Sequence, residues 1–327
     1  MRHVLLGLLP GLLFGASLAT AADRDDPAIL ARPSFRVFTD REGLPQNSGQ
    51  ALAIDTRGYL WVGTQDGLAA WNGRGFRSVR LPQGAKSQSV ICLLASSDGS
   101  LWIGTEGSGV LRYRDGAFDR NVPPPPGPPE VVWSLAETRG AGGEISIWAG
   151  TAGWGLYRLR AGAWTRWETK DGLPAGSVQA LAPARSPTDP EALWVGTTAG
   201  LAFLEGEKLT PVPPPPDEPR PLVRALLETG TPDGGTQLFV GTRLGLYVLS
   251  RKGWRTPDDD SRLPRFTVNA LLETSGPDGV ALWVATLGGG IRRIGASVAV
   301  SYGTAAGLPT NGALSLARGR GAGDTVW

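Results

Sequence analysis

One pentapeptide recurs along this chain. Leu60-Trp61-Val62-Gly63-Thr64 returns in close copies at 101–105, 147–151, 193–197, 238–242 and 282–286, and a last copy opens at Thr325-Val326-Trp327. From Thr64 onward the threonines fall 41, 46, 46, 45 and 44 residues apart, and Trp327 follows Trp283 by 44. A period of about 40–45 residues in strand-rich sequence accommodates four short strands and their turns, the content of one propeller blade. A unit of that size cannot bury its apolar face alone, so the copies must stack on one another.

The order within a repeat is plainest in the first. Strands are expected at 48–54, 59–64, 68–71 and 76–81, separated by a tight turn at 55–58, Asp66-Gly67 and Asn72-Gly73. Asp-Gly and Asn-Gly readily take the positive backbone angles of two-residue hairpins. The first strands of later copies, at 89–95, 131–137, 177–183, 222–228, 267–273 and 311–317, are compact and mostly apolar. Such runs suit an innermost strand buried on both faces between blades. Two proline runs, at 123–129 and 211–216, fall between the last strand of one repeat and the first of the next, where stiff extended connections are expected. The reading is an all-β chain: a seven-bladed propeller of four-stranded antiparallel blades over 35–327, its seventh blade truncated. The short strand at 35–39 is expected to be the outermost strand of that last blade, pairing with the C-terminal strands and closing the ring. Because the last motif breaks off within a strand, a longer protein is expected.

Ahead of the propeller, Arg2, an apolar stretch at 4–18 and Ala19-Thr20-Ala21 form a secretory leader over 1–22, cleaved after Ala21 or Ala22 and followed by a linker over 23–34. The mature part is therefore expected to be exported. The net charge of +2 and the scattered Lys and Arg exclude a nucleic-acid footprint. Cys92 is the single cysteine and sits in an apolar run, so a buried, inert thiol is expected and no disulfide.

Gly43-Leu44-Pro45, Asp55-Thr56-Arg57-Gly58-Tyr59 before the first pentapeptide, and Asp171-Gly172-Leu173-Pro174 followed by Ser177-Val178-Gln179-Ala180-Leu181 resemble the two-component regulator propeller repeat. The resemblance runs over nearly the whole of 35–327. It departs at Phe239, in place of Trp, at Ala149, in place of Val, and at Ala285, in place of Gly. The resemblance implies an extracytoplasmic sensor: a periplasmic module that binds a small molecule or glycan and belongs to a signal-transduction protein anchored in the inner membrane. It further implies a second propeller, a transmembrane span, a cytoplasmic histidine kinase or diguanylate cyclase output, and a homodimer mate.

Catalytic constellations are absent from the mature sequence. His3 is the only histidine and leaves with the leader, which removes His-based acid–base, triad and metal chemistry. This weighs against the alternative reading, an exported propeller enzyme such as a streptogramin lyase-like protein or a polysaccharide lyase. The fragment is read as non-catalytic, without cofactor or metal, and the acidic run Asp258-Asp259-Asp260 as solvated. Trp and Thr of the pentapeptide read as structural, a wedge between blades and a local turn closure. Candidate ligand groups lie at the third position of the innermost strands: Gln50, Trp133, Gln179, Arg224 and Asn269, with Ile91 and Ala313 at the other two places. Converging near the axis, they would offer a mixed polar and aromatic lining. Alternatively, the polar groups bond to adjacent backbone and plug the channel.

Overall fold

The computed structural model describes residues 5–9, 34–127, 130–256, 266–276, 279–295, 299–319 and 325–327. Strand β1 (Leu5–Leu9) and strand β2 (Ser34–Phe38) come first, followed by blade one: β3 (Gly49–Ile54), β4 (Leu60–Thr64), β5 (Gly67–Trp71) and β6 (Phe76–Val79). Its strands pair in the order β3-β4-β5-β6, an antiparallel meander. The same order recurs in blades two to six, at 90–118, 132–167, 178–212, 223–255 and 267–302. Among the described residues the chain thus forms six four-stranded blades, not seven. The innermost strands of successive blades lie side by side around one axis.

The seventh repeat adds two short segments. Residue Ala317 exchanges backbone hydrogen bonds with Trp327, at 2.9 and 2.8 Å, and Arg318 bridges Val326. That register is the one seen in the complete blades, where Ala53 faces Trp61 and Ala136 faces Trp148. Among the described residues the expected strand at 311–317 makes an isolated bridge, Gly312 facing Leu287 of blade six, and no continuous ladder. The pair is nonetheless held on both sides. Asn269 Nδ2 donates to Ala313 O at 2.9 Å, and Leu52 N donates to Ser315 Oγ at 3.2 Å.

The pentapeptide builds the blade interfaces. Trp61 packs with Val90, Ile103 and Tyr113 of the next blade, and Trp102 with Val132, Ile147 and Tyr157. Trp148, Trp194, Phe239 and Trp283 repeat the arrangement, and Trp327 fills the gap to blade one against Leu60, Val62 and Phe38. Two of the indole N–H groups are satisfied by a threonine of strand one, Trp148 donating to Thr138 Oγ1 at 2.7 Å and Trp283 to Thr274 Oγ1 at 3.0 Å, whereas that of Trp102 is buried with no partner among the described residues. The threonine closes its own hairpin, Thr64 Oγ1 donating to Gly67 O at 2.9 Å while accepting from Asp66 N. All six threonines are buried and donate in the same way.

The glycine is required by close approach. A Cβ on Gly196 would lie 2.5 Å from Cγ1 of Val223, the buried valine that opens the next innermost strand. Val132 and Val178 crowd Gly104 and Gly150 similarly, and Val268 crowds Gly241. Blade six has Ala285 in the glycine's place, and the following copy has Gly312 where blades two to six have valine and blade one has Gly49.

Between blades, Gly43-Leu44-Pro45 and its copies follow short 3-10 turns at Asp40–Glu42, Thr169–Asp171 and Thr304–Ala306. Gly43 and Gly172 end two of them at φ of 96° and 110°, a conformation that favours glycine, and the leucines after them are buried. The proline-rich connections are pinned rather than loose. Trp164 Nε1 donates to Pro123 O at 2.8 Å and Trp254 Nε1 to Pro213 O at 2.7 Å. Pro211 itself lies in the outermost strand Lys208–Val212, where no further ladder partner needs its missing N–H.

The N-terminal strand departs from expectation. The backbone partner of β2 is β1, with Leu5 opposite Phe38, and not a C-terminal strand. It meets the C-terminal segment through side chains instead: Phe38 against Trp327 and Phe35 against Tyr302. The cleavage residues Ala21 and Ala22, and the acidic run at 258–260, lie outside the described residues.

Cys92 is half-buried rather than fully enclosed. Its sulfur donates to Val132 O at 3.4 Å and fills the space beside Gly104, and burial pushes its pKa far up. A thiol kept protonated is a poor nucleophile. At pH 8 the native protein is expected to leave Ellman's reagent unreacted, and to release one equivalent once denatured. Fast release from the native state would contradict that placement of the sulfur.

Candidate functional site

Each complete blade carries a register shift near the start of its innermost strand, between Gly49 and Ala51, Val90 and Cys92, Val132 and Ser134, Val178 and Ala180, Val223 and Ala225, and Val268 and Ala270. The residue skipped in each case is Gln50, Ile91, Trp133, Gln179, Arg224 or Asn269. A bulge leaves its extra residue unpaired in the ladder and re-aims the side chain. The sequence-derived candidates are therefore the bulge residues of the ring, all at the mouth where the turns between strands two and three also lie.

Their environments differ. Trp133 is 37% exposed, unlike the wedge tryptophans. Arg224 is open to the mouth, while partial enclosure lowers its pKa; an arginine so placed stays cationic and has a reduced hydration shell. Gln179 is half-buried. Gln50 Oε1 and Asn269 Oδ1 are buried acceptors with no hydrogen-bond partner. The two flank Ala313, the seventh repeat's equivalent, whose carbonyl takes the Asn269 amide N–H. One part of the plugging alternative is thus present, a side chain bonded to neighbouring backbone, alongside two acceptors left open. The six positions hold no acid or base that titrates near neutrality, so the ring can orient and bind but supplies no proton transfer of its own.

A further group at this mouth escaped the sequence reading. Trp154, in the turn between strands two and three of blade three, is 42% exposed with the Arg166 guanidinium 5.1 Å from its ring centre. Its signal was a tryptophan in a turn where the other copies carry small, polar or aliphatic residues. The opposite end of blades one and two bears a groove of about 320 Å³ lined by Tyr59, Trp61, Tyr113 and the Arg57–Asp115 ion pair. Among the described residues no group of three or more His, Cys, Asp or Glu side chains is placed to hold a metal ion, and no helix is long and apolar enough to cross a membrane.

Residues 84–107, which enclose the second copy of the pentapeptide, match the family model described as two component regulator propeller. The repeat is that of a two component regulator propeller. The match covers that one repeat; the other copies share its register and wedge packing. No curated protein matches the chain. Among solved structures, the extracellular domain of BT4673 from B. thetaiotaomicron is similar at 18% identity and a TM-score of 0.67, over 85% of this chain and 36% of that one. BT4673 is assigned as a one component system and as a hybrid two component system. A catalytically inactive virginiamycin B lyase from Staphylococcus aureus, solved with quinupristin, is similar at 18% identity and a TM-score of 0.64, over 85% and 90%. PorZ of Porphyromonas gingivalis, a surface component of the type-IX secretion system, follows at 14%, with a TM-score of 0.59 and 88% and 46% covered. At these identities the likeness is one of fold. The chain spans about a third of the BT4673 domain it matches.

Proposed function

We propose that this chain is the ligand-sensing propeller of an exported signal-transduction protein, held at the inner membrane and working in the periplasm without catalysis of its own. The observation that carries the reading is the ring of bulge residues: an exposed tryptophan, an exposed arginine and two unpartnered amide oxygens buried just below them at one mouth. That set suits a polyhydroxylated solute such as a glycan, which stacks a carbon face on Trp133 and accepts hydrogen bonds from the Arg224 guanidinium. The regulator-propeller repeat and the resemblance to an extracellular domain of a signalling system support the same reading. Ligand binding would bias the contacts that the propeller makes with a dimer mate or with membrane-proximal parts, and so the state of a kinase or cyclase output.

The test is calorimetric titration of the exported protein against a panel of neutral and acidic oligosaccharides. A binding partner is expected whose affinity falls at least tenfold in both Trp133→Ala and Arg224→Ala, with the melting temperature unchanged. Unaltered affinity in both variants would remove the axial site. The similarity to virginiamycin B lyase keeps the enzyme reading in view. Incubation with quinupristin decides it: an unchanged chromatographic retention time is expected, since His3 is the only histidine, whereas eliminative ring opening would give a later or earlier peak of the same mass.

A further inference from the structure

In each blade the strand-two aromatic stands directly opposite one residue of strand three, and residues so paired share a face. Four blades put a planar side chain there. The guanidinium of Arg112 lies 5.3 Å from the ring centre of Trp102, that of Arg158 5.4 Å from Trp148 and that of Arg293 6.0 Å from Trp283. Phe203 packs on Trp194 at 4.6 Å. Blade five sets Val248 opposite Phe239, and blade one sets Ala70 opposite Trp61. Ala70 is the smallest of the six. The groove of about 320 Å³ between blades one and two opens at that point, with Trp61 and Ala70 in its wall and Tyr59, 48% exposed, beside them. It thus occupies the place that a guanidinium or a phenyl ring takes in four other blades.

Charge narrows what fits. The Asp55 carboxylate is fully engaged: Oδ2 accepts from Trp61 Nε1 at 3.0 Å, and Oδ1 from the backbone N–H groups of Arg57 and Tyr59. At the rim Asp115 pairs with Arg57 at 3.2 Å and with Arg114 at 3.5 Å. Arg77 is different. It stands opposite Ala70 on strand four, lines the groove and is exposed, and it makes no hydrogen bond or ion pair among the described residues. Three arginines against two aspartates leave the lining with one positive charge in excess.

We propose that this groove is a ligand site of its own and takes a planar aromatic carboxylate. The ring lies in the place left open by Ala70, against Tyr59 and Trp61, and the carboxylate is held by the planar fork of Arg77. A guanidinium ligand would suit the aromatic wall but meets three like charges. The volume lies at the lower end for small-molecule sites, which matches a ligand of one or two rings. The site is at the opposite end of the blades from the bulge ring, and the inference does not depend on what binds there.

Nuclear magnetic resonance titration of the 327-residue protein tests it, with 1-naphthoate as the probe and the neutral 1-naphthamide beside it. Naphthoate is expected to shift amides of 57–61, 70–77 and 113–116, and naphthamide to bind at least tenfold more weakly. Arg77→Gln is expected to weaken naphthoate binding at least tenfold. Ala70→Arg copies the arrangement at Arg112 and Arg158, fills the place itself and abolishes the shifts. Trp133→Ala leaves the titration unchanged; a loss there would put the anion at the axis and overturn the proposal. Absence of shifts with naphthoate, or equal affinity in Arg77→Gln or in Ala70→Arg, would overturn it too. Should Ala70→Arg not fold, Ala70→Phe, which copies the pair of Trp194 and Phe203, decides in its stead.

Discussion

Replacing Trp148 with alanine is expected to lower the stability of the protein by about 3–5 kcal/mol, the range for deleting a fully buried large aromatic. The side chain is completely enclosed, packed among Val178, Leu193 and Val195 of the next blade and against Trp167. Its indole N–H is bonded to Thr138, and the Arg158 guanidinium lies 5.4 Å from its ring centre. Alanine leaves a cavity at a blade interface whose two walls are rigid sheets, so little collapse can offset the lost contacts. Trp133→Ala is the matched control, since that ring fills no interface; its change is expected within about 0.5 kcal/mol. Equilibrium urea unfolding of the two variants checks both figures. Equal losses would mean that the wedge assignment is wrong.

The second large effect comes from adding one carbon. Gly196→Ala puts a Cβ 2.5 Å from Val223 Cγ1 and 3.3 Å from Ala180 Cβ, and overpacking of this kind costs about 1–3 kcal/mol. Blade six and the copy after it carry Ala285 and Gly312 at the corresponding positions. Combining Gly196→Ala with Val223→Gly copies that arrangement. The double variant is expected to be more stable than the sum of the two single losses implies, by about 0.5–3 kcal/mol, the coupling seen between touching residues. A strictly additive cycle would show that Ala285 and Gly312 are unrelated substitutions.

Much of this was legible in the sequence, for a local reason. Strand content, the hairpin turns and the wedge role of Trp and Thr depend on residues a few positions apart, and each was repeated often enough to separate pattern from accident. The third-position rule for the axis also came from equivalence between copies. What made those positions special did not: a bulge exists only relative to the partner strand, so the unpaired state of Gln50 or Asn269 depends on pairing across a hairpin. Trp154 was passed over because it lies in a turn rather than on a strand. The clasps from Trp164 to Pro123 and from Trp254 to Pro213 join residues in successive blades, and the proline runs alone showed only stiffness.

The sequence by itself determined the blade, because four strands and their turns are specified within one period and the interface residues recur with it. The tertiary structure decided what meets the N-terminal strand. Closure pairs residues almost a whole chain length apart, and a strand edge accepts any backbone that reaches it in register. Which segment lies beside β2 is therefore settled by proximity in space, and in this protein it is Leu5–Leu9.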